Sequence, residues 1–334
     1  MVIDFPHKQL SHCENGAICN LLNFKGLNIS EPMIFGIGSG LFFAYMPFIK
    51  NHSIPLISFR ILPGKIQQNV TERLGIKLFK KTYKNRQQAM DELDNMLNKG
   101  QPIGLVTNLY YLPFFPKSYR FHYNQHNLVV YGKKGDTYLI SDPVLEEKAE
   151  ISSHDLVKAR FAKGVLNVQG NMYYPENIPP TIPLERAIIK GIKSTCLLMI
   201  KNPIPYHGVT GIKWLLKRIR KERNKNDVEF INLFLGNIIR MMEEAGTGGA
   251  GFRYIYAAFL QESGNILQQS QFADLSEEMT TIGDRWRDFA LIIAKIIKSR
   301  MSLSEGYDDI CIILNEVAER EREVFKKLSK VSLK

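Results

Sequence analysis

The chain has 334 residues, 45% hydrophobic and 23% charged. It is long for one core and too apolar for a disordered segment, so two globular domains are expected. The net charge of +11 bears on partners rather than fold and suits an acidic one. The start, MVIDFPHKQLSHCENG, has neither the basic nor the apolar region of a signal peptide. The longest uncharged run, 32–49, holds three glycines and two prolines and makes a poor membrane helix. A cytoplasmic location is expected.

The first predicted element is a helix. Ser11 and Glu14 have the spacing of a capping box, Ala17, Ile18, Leu21 and Leu22 recur at helical spacing, and Gly26 is a stop. With Ser11 as N-cap, Cys13 falls in the first turn, where free N–H groups and the helix dipole stabilise a thiolate. The alternative is a small buried apolar side chain. Gly36, Gly38 and Gly40 are not followed by the GK[ST] of a phosphate loop, so they read as a close backbone approach beside the site, with Gly38 a pocket candidate. Helices are predicted over 66–80 and 86–98, and a buried strand over 102–109.

Strands follow over 127–132 and 136–141, joined by Lys133-Lys134-Gly135 with Gly135 at positive φ. A hairpin closing there sets His126 opposite Asp142 at its open end. Their side chains can then bond, fixing one imidazole nitrogen and leaving the other free. That is the base and orienter of a catalytic triad, or a pair that only ties two strand ends. A short helix is expected over 151–160. Four prolines between Tyr173 and Pro183 mark a joint. Beyond it helices are predicted near 184–200, 209–222, 226–245, 251–263, 272–298 and 305–329, with a glycine-rich break over 246–251.

The four cysteines, Cys13, Cys19, Cys196 and Cys311, include no CxxC pair, and no histidine pair has metal-binding spacing within a helix. Neither a disulfide, a metal nor a cofactor is expected.

A helix-start cysteine, a later histidine leading an apolar strand, and a second strand ending in Asp-Pro resemble the papain-like cysteine enzymes, including bacteriocin-processing peptidases. The run His12-Cys13, Asn20-Leu21-Leu22, Gly26, Ser30-Glu31 and 35–41 (FGIGSGL), with the stretch from His126 to Pro143, resembles the amino-terminal domain of the butirosin biosynthesis protein H family. Gly248-Gly249 and Phe252, Arg253, Tyr256, Phe259 and Leu260 look like the domain that usually follows it.

The resemblance implies an α+β fold: a papain-like catalytic domain over 1–178 and an all-helical domain over 179–334. It implies acyl transfer in secondary metabolism, such as antibiotic biosynthesis, from an acyl-carrier-protein thioester to an amine-bearing small molecule. Cys13 would carry the acyl group, His126 act as base and Asp142 hold His126. Hydrolysis of an amide uses the same residues, and a non-catalytic binding module is a third reading. Papain-like enzymes place a glutamine before the cysteine as oxyanion donor; Gln9 is the candidate, at a shorter spacing than usual, beside the Cys13 N–H. His12 diverges from Cys13 along the helix and is expected at the surface or lining the pocket; His122 is a substrate-facing candidate.

In 211–225, GIKWLLKRIRKERNK, Ile212, Leu215, Leu216 and Ile219 are expected to pack inward, leaving a basic stripe with Glu222 among the cations. Lys217, Arg218 and Lys221 are candidates for docking an acidic carrier protein; the alternative is a solvated face. No aromatic side chains interleave with the charges, so nucleic acid is not favoured. Oligomeric state is not legible.

Overall fold

The computed structural model describes residues 2–51, 53–223, 227–244 and 248–333. The elements in chain order are α1 (Cys13–Phe24), α2 (Glu31–Ile37), β1 (Leu41–Asn51), β2 (Ile54–Arg60), α3 (Lys65–Leu74), β3 (Lys77–Lys81), α4 (Arg86–Asn98), β4 (Ile103–Thr107), β5 (His126–Lys134), β6 (Thr137–Ser141), β7 (Ala149–Ser152), α5 (Ser153–Arg160) and β8 (Met172–Asn177). Six helices follow: α6 (Leu184–Ile200), α7 (Gly208–Arg223), α8 (Val228–Ile239), α9 (Arg253–Leu267), α10 (Gln271–Ile297) and α11 (Leu303–Leu328). The fold is α+β.

Contacts divide the chain into two units. One comprises Met1–Ile34 and Ile66–Ile182, the other Phe35–Lys65 and Pro183–Lys334. The expected division into 1–178 and 179–334 therefore differs in one segment. Residues 35–65 carry the β1–β2 hairpin into the second unit, where Phe43 and Phe59 meet Trp286. That unit is thus not purely helical.

The first unit is built on a six-stranded sheet in the order β3-β8-β4-β5-β6-β7. Helices α4 and α5 bury Leu93, Leu97, Leu156 and Ala159 against Leu105, Leu128, Val130 and Ile140 on one face. On the other face, Phe5 stacks between Tyr131 of β5 and Phe24 at the end of α1. The helix predicted over 66–80 stops at Gly75, whose φ of +71° suits glycine. Residues 77–81 then run as β3, paired with β8. β8 itself lies in the stretch read as a joint. Pro175 is tolerated there because β4 pairs with β8 only at Met172 and Tyr173, leaving Pro175 beyond that ladder.

In the second unit the helices follow the predicted spans, except that 226–245 divides into α8 and a π-helical turn, Arg240–Glu244. Ala245, at the end of that predicted helix, and Gly246 and Thr247, in the predicted glycine-rich break, lie outside the described residues. At its centre Arg253 and Glu321, both fully buried, form a two-pronged ion pair of 2.9 and 3.1 Å. Arg253 also donates to the Gly251 carbonyl, and Trp286 Nε1 donates to Glu321. A buried charge is tolerable only when paired in this way.

On α7 the four apolar residues are buried as expected. The basic stripe is narrower than expected. Glu222 is buried and pairs with Arg218 at 2.8 Å, and Lys217 lies over the Trp214 ring. Lys217 and Lys221 remain exposed; Lys225 and the side chain of Arg223 lie outside the described residues. Among the described residues no helix is long and apolar enough to cross a membrane.

Glu321→Leu should lower the stability of the second unit by about 3–5 kcal/mol, because it strands the Arg253 charge and the Trp286 donor together. Denaturant unfolding followed by tryptophan fluorescence measures this; a loss below about 1 kcal/mol would show that the pair adds little.

Candidate active site

Helix α1 begins at Cys13, but its cap is not the one expected. His12 is the N-cap, and its Nδ1 accepts from the Asn15 N–H at 3.4 Å. His12 is therefore buried rather than at the surface. The Ser11–Glu14 capping box does not form. Glu14 instead accepts from the N–H groups of Ile66 and Gln67, capping α3. Glu31 supplies what the Glu14 side chain was expected to supply, an acceptor for the Ser11 N–H. Its two carboxylate oxygens accept from the N–H groups of Ser11 and His12 at 2.8 and 2.9 Å, fixing the chain just before Cys13. Burial raises the Glu31 pKa, against the lowering effect of those bonds.

His126 opens β5, held by its pairing with Thr107, whose hydroxyl donates to the His126 carbonyl. The β5–β6 register places Lys134 opposite Thr137 and, after a bulge, Val129 opposite Ser141. His126 and Asp142 are thus not directly opposite, as the sequence suggested. Carried one residue past that last pair, the register would set Asp142 opposite Leu128 and His126 diagonal to it on the same face, within side-chain reach. The bond forms: His126 Nε2 to Asp142 Oδ2 is 2.6 Å, with Asp142 fully buried. The other carboxylate oxygen accepts from the Val144 N–H.

Cys13 lies close enough to His126 to act on its charge, and its thiol donates to the Gln125 carbonyl at 4.0 Å. Burial alone would lower the His126 pKa. The charge and bond of Asp142, then the bond and charge of Cys13, outweigh it and raise the value to about 10. At neutral pH His126 is therefore an imidazolium between a carboxylate and a sulfur.

The approach of these groups depends on Gly16, one turn along α1. A Cβ there would lie 2.4 Å from Cβ of Pro143, the residue after Asp142. The Pro143 carbonyl accepts from the Leu10 N–H at 2.6 Å, closing the same contact from the other side.

Other candidates fall differently. Gln9 is exposed, and no described hydrogen bond joins it to Cys13. The first-turn N–H of Cys13 stays available as an oxyanion donor. His122 is exposed and stacks on Tyr110, with ring centroids 4.2 Å apart. Gly38 belongs to the second unit. The close approach expected of its neighbours is real but structural: a Cβ on Gly36 would enter the ring of Phe259. Cys19, Cys196 and Cys311 are buried free thiols, and burial pushes Cys196 up to about 12.

Three participants escaped the sequence reading. Glu31 carried a signal only as part of the Ser30-Glu31 resemblance. Gln125 adjoins His126, but nothing in its identity shows that its carbonyl faces a thiol. Phe115 sets its ring edge-on to His126 at 5.5 Å, from a loop whose path has no local signal.

Two tests follow from this geometry. A raised histidine pKa stabilises the fold fully below the unfolded value of 6.5, and that stability is lost as pH rises toward 10. The stability difference between wild type and Asp142→Asn should therefore shrink above pH 6.5, by at most about 1.4 kcal/mol per pH unit. A difference that is flat from pH 6 to 10 in denaturant titrations contradicts the imidazolium. Gly16→Ala should cut labelling of Cys13 by a thiol reagent about tenfold or more and destabilise by roughly 1–3 kcal/mol, because rigid proline cannot yield to the added methyl; unaltered labelling would show that the contact does not hold the site.

The family described as "Domain of unknown function (DUF4872)" matches residues 154–328, and "Butirosin biosynthesis protein H, N-terminal" matches residues 12–143. No curated protein matches the chain. Among solved structures, one described as a C39-like peptidase from Bacillus anthracis is similar at 16% identity and a TM-score of 0.37, over 53% of this chain and 98% of that one. The chain belongs to the family defined by the domain of unknown function DUF4872, preceded here by a stretch that matches the butirosin biosynthesis protein H amino-terminal model.

Proposed function

We propose that the protein is a cysteine acyltransferase, moving an acyl group from a thioester to an amine through an acyl-enzyme on Cys13. The observation that carries this reading is the grouping of Cys13, His126 and Asp142, with Asp142 on Nε2 of His126, Cys13 close enough to act on the ring, and Cys13 at the first position of a helix. Sulfur attacks the thioester carbonyl, and the oxyanion is held by the Cys13 N–H. The donor's thiolate leaves and takes the proton from His126. The neutral imidazole then removes a proton from the amine as it attacks the Cys13 thioester. The amide departs, and imidazolium and free thiolate are restored. Asp142 holds the ring in place and balances its charge.

The butirosin biosynthesis match supports a biosynthetic setting and a donor borne on an acyl-carrier protein. The net charge of +11 suits such an acidic partner. Exposed Lys217 and Lys221 are the remaining docking candidates of the α7 stripe.

The test is intact-protein mass spectrometry after mixing with a panel of acyl thioesters. One acyl adduct is expected. It should be absent in Cys13→Ala, which should stay folded, and an added amine should discharge it. Asp142→Asn should retain a rate lower by about 10²–10⁴-fold. An adduct lost to water as fast as to any amine would make the protein a hydrolase. A Cys13 no more reactive than Cys19, Cys196 or Cys311 toward a thiol probe would leave only a binding module.

A further inference from the structure

The loop between α5 and β8 holds two apolar side chains out in water. Val165 is 88% exposed and Leu166 is 56% exposed. Neither is there through looseness. At the stem, the Gly170 N–H donates to the Arg160 carbonyl, and the buried Arg160 guanidinium donates to the Gly170 carbonyl. At the tip, Asn124 and Gln125 donate from their side chains to the carbonyls of Val165 and Leu166, at 3.4 and 2.9 Å. Leu166 has a φ of +56°, a left-handed conformation that leucine adopts at a cost. A strained backbone kept in place by neighbours, displaying apolar surface to solvent, points to a ligand.

The place of the loop identifies that ligand. Gln125 is the residue whose carbonyl faces the Cys13 thiol, and it is also the residue that grips Leu166. From the β4–β5 connection, Phe115 brings a second apolar surface against His126. These loops also carry Lys117, Arg120 and Lys163, and there is no carboxylate between residues 95 and 135 or between 156 and 175. A cationic aminoacyl group would find no carboxylate on these loops, whereas an apolar chain on an anionic carrier meets both surfaces.

We propose that Val165, Leu166 and Phe115 form a subsite beside Cys13 for an extended apolar acyl chain, borne by a donor that is anionic at its other end. The inference rests on Cys13 as the reacting group, so its test uses a probe that needs no acyl transfer. Iodoacetamides with N-alkyl groups from methyl to octyl are mixed with the full-length protein. A bond forms from Cys13 sulfur to the probe's α-carbon as iodide leaves. The rate is read by intact mass and divided by the rate with free cysteine, and Cys13→Ala identifies the site. The corrected rate should rise at least tenfold from methyl to octyl, and fall back when the octyl chain ends in an ammonium group. Leu166→Ser should lower the octyl-to-methyl ratio by about fivefold or more. Leu166→Gly, which suits the left-handed backbone, should lower the ratio equally without lowering the melting temperature. Equal rates at every chain length, or a ratio unmoved by both variants, would overturn the subsite. Should Cys13 form no adduct with any thioester yet prefer the octyl probe, the transferase reading fails and the apolar subsite stands.

Discussion

A single hydrogen bond inside the first unit sets the terms for what surrounds it. Asp142 is fully buried, and its bond to His126 keeps a positive ring where burial by itself would discharge it. Neither group is tolerable there alone. The strands β5 and β6 must therefore keep a register that brings the two within reach, and the helix carrying Cys13 must arrive beside the ring.

Much of the positioning comes from carboxylates that take no part in the proposed chemistry. Glu31 receives the N–H groups of Ser11 and His12, and Glu14 those of Ile66 and Gln67. Both are buried, so each must be compensated by its N–H bonds. The helix they flank has its start fixed in three ways: from below by Glu31, within by the His12 cap, and along one side by the contact of Gly16 with Pro143.

The sequence made the near-neighbour features legible and hid the distant ones. Cys13 at a helix start, the β5–β6 hairpin, and the pairing of His126 with Asp142 could all be read, because periodicity, turn glycines and strand ends are local signals. The register could not be read correctly, since a bulge near Tyr131 shifts the ladder without changing the pattern. Strand β3 falls within a span whose sequence predicts helix, because charged KLFKK gives no clear period and only its pairing with β8 decides its form. The exchange of Glu14 from its own helix to α3 had no signal either: the capping-box spacing is present, but a distant helix start competes for the carboxylate and wins. Residues 35–65 join the other unit through contacts of Phe43 and Phe59 with Trp286, about two-thirds of the chain's length away.

That excursion has a topological consequence. The chain leaves the first unit after Ile34 and returns at Ile66. Glu31 sits just before the departure and Glu14 grips the return, and both bonds end on α1 or the residues leading into it. The helix that carries Cys13 thus acts as a clasp across the gap in a discontinuous domain. Whatever is inserted between those points begins and ends on anchored backbone, so the insert can lengthen, shorten or be exchanged in the course of evolution while the thiol keeps its place.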